Sequence, residues 1–447
     1  MPYYHFAIAC FMWVSIPLSL AADLWSVYQE AKSYDSAFAA AQAAHRAGQE
    51  KLAQSNAQWL PQINFSANYG RAQQRVNPGV PKLPYLQSEK FGRNYGYGIT
   101  ATQPLINATA MVNATQLDEQ YQLAEVAFRD AEQTLILRVA NAYFDVLLAQ
   151  DMVSFVRSRK QAVAQQLAQA KKSFEVGVAT ITDTHEAQAD FDQIVADEIT
   201  AENELAVKKN SFSQITGLSA DYLALLAESM QPAPPQPNDL NHWLSLAESN
   251  NLKIQSGRAE LAIKNADIER YRAMRQPQLA LEGAYQDNYM AENLSVQGST
   301  DKKHDASIRL VLNIPLFRGG AIRSQLREAI AIRDQTQFTL ENTRREIAQN
   351  TKQTFWNIQS GAAKINALEQ ALISAQSSVD STKLGYEVGV RTLFDVLKTE
   401  AQLFSVRRDL AQAKYQYVLN RLQLANIVGK LGEQDVRDIN TQLAQRP

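Results

Sequence analysis

The sequence predicts a mainly α fold with a small transmembrane β part, four strands per subunit, built by internal duplication. Three observations predict it. Gly 18 and Pro 14 in 447 residues fall below the average usage of roughly 7% and 5%, so most of the chain must lie in long regular elements. The segment Phe174-Glu-Val-Gly-Val-Ala-Thr-Ile-Thr-Asp183 returns as Tyr386-Glu-Val-Gly-Val-Arg-Thr-Leu-Phe-Asp395, and the same offset pairs Gly217 with Gly429. Four short segments alternate apolar and polar residues with period two, the signature of a half-exposed strand.

Residues 1–22 read as a signal peptide. They hold no Asp, Glu, Lys or Arg, Phe6 to Leu20 is nearly all apolar, and Ser19 with Ala21 or Ala22 offers small residues for cleavage before Asp23. Cys10 is the only cysteine, so a cleaved chain has no thiol for a disulfide or a thiolate metal site. Beyond residue 22 no run approaches the ~18 apolar residues of a membrane-crossing helix, so entry into a membrane has to be by strands. The 44 basic and 46 acidic residues nearly cancel, which recommends neither a nucleic-acid partner nor an acidic tail.

The first repeat covers 23–230: a helix, strands about 61–70 and 95–104, a long helix, a tip at 177–183 and a returning helix. The Pro-rich stretch 231–239 is a linker. The second repeat, 240–435, has strands about 277–286 and 305–315 and a tip at 389–395, and 436–447 is a tail. Surface loops are expected near Arg71–Asn94 and Asp287–His304.

The strands carry the membrane reading. Ile63, Phe65, Ala67 and Tyr69 face away from Gln62, Asn64, Ser66 and Asn68. Tyr95, Tyr97, Ile99 and Ala101 alternate with Gly96, Gly98, Thr100 and Thr102. Leu279, Leu281 and Tyr285 oppose Gln278 and Glu282, and Ala306, Ile308, Leu310, Leu312 and Ile314 oppose Ser307, Arg309 and Asn313. Such alternation with aromatic residues on the apolar face fits a membrane barrel; a half-buried sheet in a soluble protein is the rival.

Between Asn107 and Val176 there is neither proline nor glycine, enough for roughly 105 Å of continuous helix. Leu117, Tyr121, Ala124, Phe128, Ala131 and Leu135 follow a four-three spacing, resumed from Val139 to Phe174. Ile365, Leu368, Leu372, Ala375, Val379, Thr382 and Tyr386 repeat it in the second half. This is a small-residue heptad seam, suited to close coiled-coil packing.

Four strands cannot close a barrel, and open edges are not tolerated in lipid. Two copies would give eight strands and a filled interior; three would give twelve, with room for a channel. The polar, small inward residues favour twelve.

The ordered set of Leu60-Pro61-Gln62, the paired Val-Gly-Val-x-Thr tips, Gly217 after Ile215-Thr216, and Leu393-Phe394-Asp395-Val396-Leu397 resembles the TolC family of outer-membrane channel-tunnels. The resemblance covers essentially the whole chain after the signal peptide. It implies a trimeric 12-stranded β-barrel, four strands per subunit, continued by a long α-helical coiled-coil tunnel through the periplasm. It implies export of drugs, small toxic compounds or secreted proteins. The implied partners are the homotrimer, a periplasmic adaptor (membrane fusion) protein, an inner-membrane ABC- or RND-type pump, and outer-membrane lipid. A periplasmic coiled-coil scaffold without a pore is the alternative.

The resemblance also assigns sites. Val176, Gly177 and Val178, with Val388, Gly389 and Val390, match the tips on which adaptor hairpins dock. Tyr386 and Arg391 match residues that hold the closed entrance through Thr182 and Asp183 of the neighbouring helical pair. Asp395 matches one of two aspartates ringing the constriction, and Lys398 stands where the family has the second. Three copies would then make a mixed ring; an Asp395–Lys398 pair along one helix is the plainer possibility. Either Asp183 or Asp395 can support the start of its returning helix.

Nothing points to an enzyme. His5, His45, His185, His242 and His304 show no metal spacing, and Gly96-Tyr-Gly98 lacks the third glycine of a dinucleotide loop. No cofactor or metal is expected.

Overall fold

The computed structural model describes residues 22–76, 88–227, 230–292, 294 and 300–444. Residues 1–21 of the signal-peptide reading, Cys10 among them, lie outside these. The first half contains α1 (Leu24–Tyr34), α2 (Ser36–Ala57), β1 (Gln62–Val76), β2 (Ser88–Ile106), α3 (Ala108–Glu175) and α4 (Ile181–Thr216). A short β3 (Leu225–Leu226) follows. The second half repeats the order with α5 (Leu240–Asn250), α6 (Leu252–Ala273), β4 (Gln278–Glu292), β5 (Asp301–Asn313), α7 (Ala321–Glu387) and α8 (Leu393–Ile427). It closes with α9 (Glu433–Asn440) and β6 (Leu443–Ala444). The breaker-free stretches are single helices of 68 and 67 residues, about 100 Å each at 1.5 Å per residue.

The described residues form two compact units, one within Ala43–Phe128 and Lys253–Arg344, the other within Met1–Gln42, Arg129–Leu252 and Arg345–Pro447. The first unit holds the sheet, ordered β1-β2-β4-β5 and antiparallel throughout. Its registers, Phe65↔Ile99, Ile99↔Tyr285 and Leu281↔Leu310, put the predicted apolar residues of all four strands on one face. In α2 and α3 the small Gly48 meets Ala124: a Cβ on Gly48 would lie 2.2 Å from that of Ala124. This is the close approach expected of a small-residue seam.

The strands correct the expected bounds. β1 runs to Val76 rather than 70, β2 starts at Ser88 rather than 95, β4 reaches Glu292, and β5 spans 301–313. Much of the two expected surface loops is therefore hairpin arm. Backbone pairing needs no apolar alternation, so it continues past the point where the apolar pattern stops. Residues 77–87 of the first of those loops lie outside the described residues.

In the second unit Tyr28, Tyr143, Phe144, Phe212, Leu135, Ile358 and Ile365 are fully buried, each contributing about 1.5–3 kcal/mol of transfer free energy. Asp35 interrupts α1 and α2. It accepts the Phe38 N–H at 2.9 Å and takes both Arg138 amino groups at 2.9 and 3.0 Å, a forked geometry that compensates a carboxylate only 4% exposed. Asn251 holds the matching break in the second half, donating to the Ile427 carbonyl at 2.8 Å. The Pro-rich stretch is clasped by Tyr417, whose hydroxyl accepts from the Ala233 N–H at 2.9 Å and donates to its carbonyl at 2.7 Å.

The C-terminal segment is not a tail. Residues 436–440 belong to α9, where Val436 and Ile439 are buried, and Arg437 lies 4.1 Å over the Trp25 ring. β6 pairs with β3. Spaced apolar residues in a charged octet made this short helix hard to see from sequence.

Candidate functional site

The helical unit presents two hairpin tips built alike. After α3, Gly177 adopts φ 76°, and after α7, Gly389 adopts φ 80°; only glycine takes this left-handed conformation without strain. The turns close by Val178 N–H to Ser173 O at 2.9 Å and Val390 N–H to Gly385 O at 2.9 Å. Each returning helix then opens with a capping box. Asp183 Oδ2 accepts the Thr180 N–H at 2.9 Å while Thr180 Oγ1 accepts the Asp183 N–H at 3.2 Å. Thr392 and Asp395 repeat this at 3.0 and 3.2 Å. Both aspartates thus support helix starts, which satisfies donors that a helix N-terminus leaves unpaired.

The valines around the glycines point outward: Val176, Val178, Val388 and Val390 are 67%, 78%, 65% and 75% exposed. These four exposed β-branched residues place apolar surface at both tips. Behind them the two hairpins share one core of Val163, Leu167, Ala170, Ala187, Leu393 and Leu397, against which Tyr386 packs.

The residues read as a gate fall into place unequally. Burial raises the Tyr386 hydroxyl pKa, and the Asp183 charge adds to it, so these two are electrostatic neighbours within one chain. Arg391 is exposed and its stem lies over Gly385, where a Cβ would meet Arg391 Cγ at 2.7 Å. Thr182 is exposed as well. The Asp183 carboxylate is engaged by Thr180, and among the described residues it makes no ion pair with Arg391. Asp395 is held below the ordinary carboxylate range, first by the Thr392 N–H and its hydroxyl and last by the charges of Arg391 and Lys398. Lys398 is exposed and forms no ion pair with Asp395 within the chain, so the intrahelical pair is not made.

A charged cluster behind the tips escaped the sequence reading. Arg159 pairs with Asp190 at 2.8 Å and Lys383 with Glu400 at 2.8 Å, and Arg159, Lys383, Glu400 and Arg407 line a cavity of about 220 Å³. Burial pushes the Asp190 carboxyl up; Arg159 pulls it back and Glu400 adds to the rise. The missed signal is Glu400, which follows Leu393 and Val396 at seam spacing in α8 and is buried there.

The sheet has two faces of opposite character. Ile63, Phe65, Ile99, Ile308, Leu310 and Leu312 are 68%, 69%, 48%, 81%, 66% and 60% exposed on one face. Towards the hairpin arms this face carries Tyr69, Tyr95, Tyr97 and Tyr289, with Tyr95 and Tyr289 stacked at 4.9 Å. There Tyr97 donates to Asp287 Oδ2 at 2.7 Å, and Asp287 also meets the His304 ring. The opposite face carries Asn64, Ser66, Asn68, Thr100 and the pair Arg309–Glu282 at 3.1 Å. An apolar outer band with an aromatic rim and a polar inner face is the pattern of a membrane barrel wall. Among the described residues β1 and β5 are the outer strands and each pairs on one side only. They run antiparallel to each other, so β5 of one copy can continue the ladder with β1 of the next.

Among the described residues no three His, Cys, Asp or Glu side chains gather as a metal site. His45 is paired with Glu125 at 2.5 Å and stacked on Phe128 at 4.4 Å. No helix of the described residues is long and apolar enough to cross a membrane.

Comparison with known proteins agrees with this geometry. The family described as outer membrane efflux protein matches residues 27–218 and 243–430, one match in each half. The outer membrane protein TolC of Vibrio cholerae is 33% identical over 425 residues, 95% of this chain and 94% of that protein. The alkaline protease secretion protein AprF of Pseudomonas aeruginosa is 29% identical, covering 94% of this chain and 86% of its own. The crystal structure of the Campylobacter jejuni CmeC outer membrane channel superposes with a TM-score of 0.76 over 99% of this chain and 97% of that one, at 14% identity.

Proposed function

We propose, from the premise that this chain belongs to the outer membrane efflux protein family, that three copies form its working channel with an inner-membrane pump and a periplasmic adaptor. The chain itself is an outer-membrane export channel protein whose helices extend into the periplasm. The observation that carries the assembly is the sheet: four strands, apolar outside and polar inside, with an open edge at each end. Three such sheets make twelve strands, enough to leave an aqueous lumen.

The exposed valine tips, Val176 to Val178 and Val388 to Val390, are the surface for the adaptor's hairpins. Tyr386, Arg391, Thr182 and Asp183 form the closed-state contacts between neighbouring helical pairs, and Asp395 with Lys398 lines the constriction. Cargo is selected upstream by the pump. Both drug-like compounds and secreted proteins suit a passive conduit, as the relative named for alkaline protease secretion illustrates for the latter. The chain acts as a conduit and not as an enzyme.

Affinity purification of the full chain from crosslinked cells tests this. The expected product is a membrane-bound trimer that brings adaptor and pump with it and conducts ions in planar bilayers. A soluble, non-conducting monomer would overturn it.

A further inference from the structure

The loop joining β5 to α7 carries the two most exposed large apolar side chains among the described residues, Leu316 at 92% and Phe317 at 85%. They follow Ile308, Leu310 and Leu312, the exposed apolar row of β5, and Ile314 just after it, and so extend the lipid-facing side to the helix-bearing, periplasmic end of the sheet. Around them Arg275, Arg318 and Arg323 line one cavity of about 130 Å³ together with Pro315, Leu316 and Phe317, and no carboxylate lines it. All three arginines are exposed. Among the described residues none of them has an ion-pair or side-chain hydrogen-bond partner.

The other half of the duplication shows that the fold does not require this cluster. Aligning Pro61 with Pro277 places Trp59 opposite Arg275, and aligning Pro104 with Pro315 places Asn107 opposite Arg318. The third residue of α3 is Ala110 where that of α7 is Arg323. The first half thus keeps the apolar residues Leu105 and Ile106, 46% and 59% exposed, without any cation.

We propose that Arg275, Arg318 and Arg323, with Leu316 and Phe317, form a site for the phosphate headgroup of an anionic phospholipid in the periplasmic leaflet of the outer membrane. Guanidinium groups bind phosphate oxygens through paired N–H donors and remain charged at any physiological pH. The positive end of the α7 dipole lies at the same loop, since α7 begins at Ala321. Leu316 and Phe317 enter the acyl region beside the headgroup, which removes from water apolar surface that nothing else in the chain covers. Charge complementarity and continuity with the membrane-facing band select a lipid over a protein occupant.

Native mass spectrometry of the purified full-chain channel, titrated with phosphatidylglycerol or phosphatidylethanolamine, tests the site. The wild type is expected to retain phosphatidylglycerol preferentially. R275Q/R318Q/R323Q is expected to lose that preference, by about a fivefold factor for each arginine, with phosphatidylethanolamine retention unchanged. The triple lysine variant, which keeps the charge but loses the paired N–H donors, is expected to keep part of the preference, below the wild type and above the glutamine variant. Equal phosphatidylglycerol retention by wild type and glutamine variant would overturn the site, as would a lysine variant indistinguishable from the glutamine variant. Dissociation of the glutamine variant into monomers would also overturn it, because the patch would then be a subunit contact.

Discussion

At the hairpin tips, individual side chains already have commitments within one chain. The carboxylates of Asp183 and Asp395 are bound to the threonines that start their helices, whereas Arg391 and Lys398 are exposed and without ion-pair partners among the described residues. In the proposed trimer, a cation free on one chain and a carboxylate with lone pairs remaining on the next would make a contact weak enough to break, since exposed ion pairs contribute about 0–1 kcal/mol. Replacing Arg391→Ser together with Tyr386→Phe should therefore raise single-channel conductance in planar bilayers; unchanged conductance would remove both residues from the gate. Lys398→Asp should increase cation preference by turning a mixed ring acidic. Reversal potentials in a salt gradient read this directly, and identical values before and after would show that Lys398 does not face the lumen.

At the scale of the element, the tips owe their shape to three local terms: a left-handed glycine, a capping box and a shared apolar core behind. The cap also carries a pH dependence. The folded state holds Asp395 below its ordinary pKa of 3.8, so ionisation favours the folded tip. That contribution is fully present above 3.8 and is lost as the pH falls through the lower folded value. The protection factors of the first-turn amides of α8, which correct for the slower intrinsic exchange in acid, should accordingly fall on acidification in that window, and Thr392→Ala should lower them at neutral pH by removing about 1 kcal/mol of capping. Protection factors in that turn that stay constant across the window would refute the cap's role. The strands obey a different logic. Their apolar alternation marks where lipid is met, but their length follows backbone pairing, which is why β1, β2 and β4 run beyond the expected bounds.

For the whole molecule, an outer-membrane channel built from long helices and few strands has to leave its sheet open and complete it with other copies. The unpaired outer sides of β1 and β5 and the exposed row from Ile308 to Leu312 express that incompleteness in one chain. Much of this architecture was legible beforehand. The Gly177 and Gly389 tips, the alternation around Phe65 and Ile308, and the breaker-free stretches that became α3 and α7 are all local patterns. The bounds of the strands and the helical C-terminal segment were not, because neither depends on apolar periodicity alone.

Periodicity and repetition by themselves determined the helices, the membrane face of each strand, the duplication and the positions of the tips, since each depends on residues near one another in sequence. Only the tertiary structure decided which charges meet. It alone joined Arg159 to Asp190 and Lys383 to Glu400, decided for Asp395 between the helix cap and the Lys398 pair, both of which the sequence allowed, and gathered Arg275, Arg318 and Arg323 from two segments around one cavity. The reason is physical: apolar burial follows a repeating pattern along the chain, while a charge–charge contact needs two particular side chains within a few ångströms, and the spacing of residues in sequence does not encode that distance.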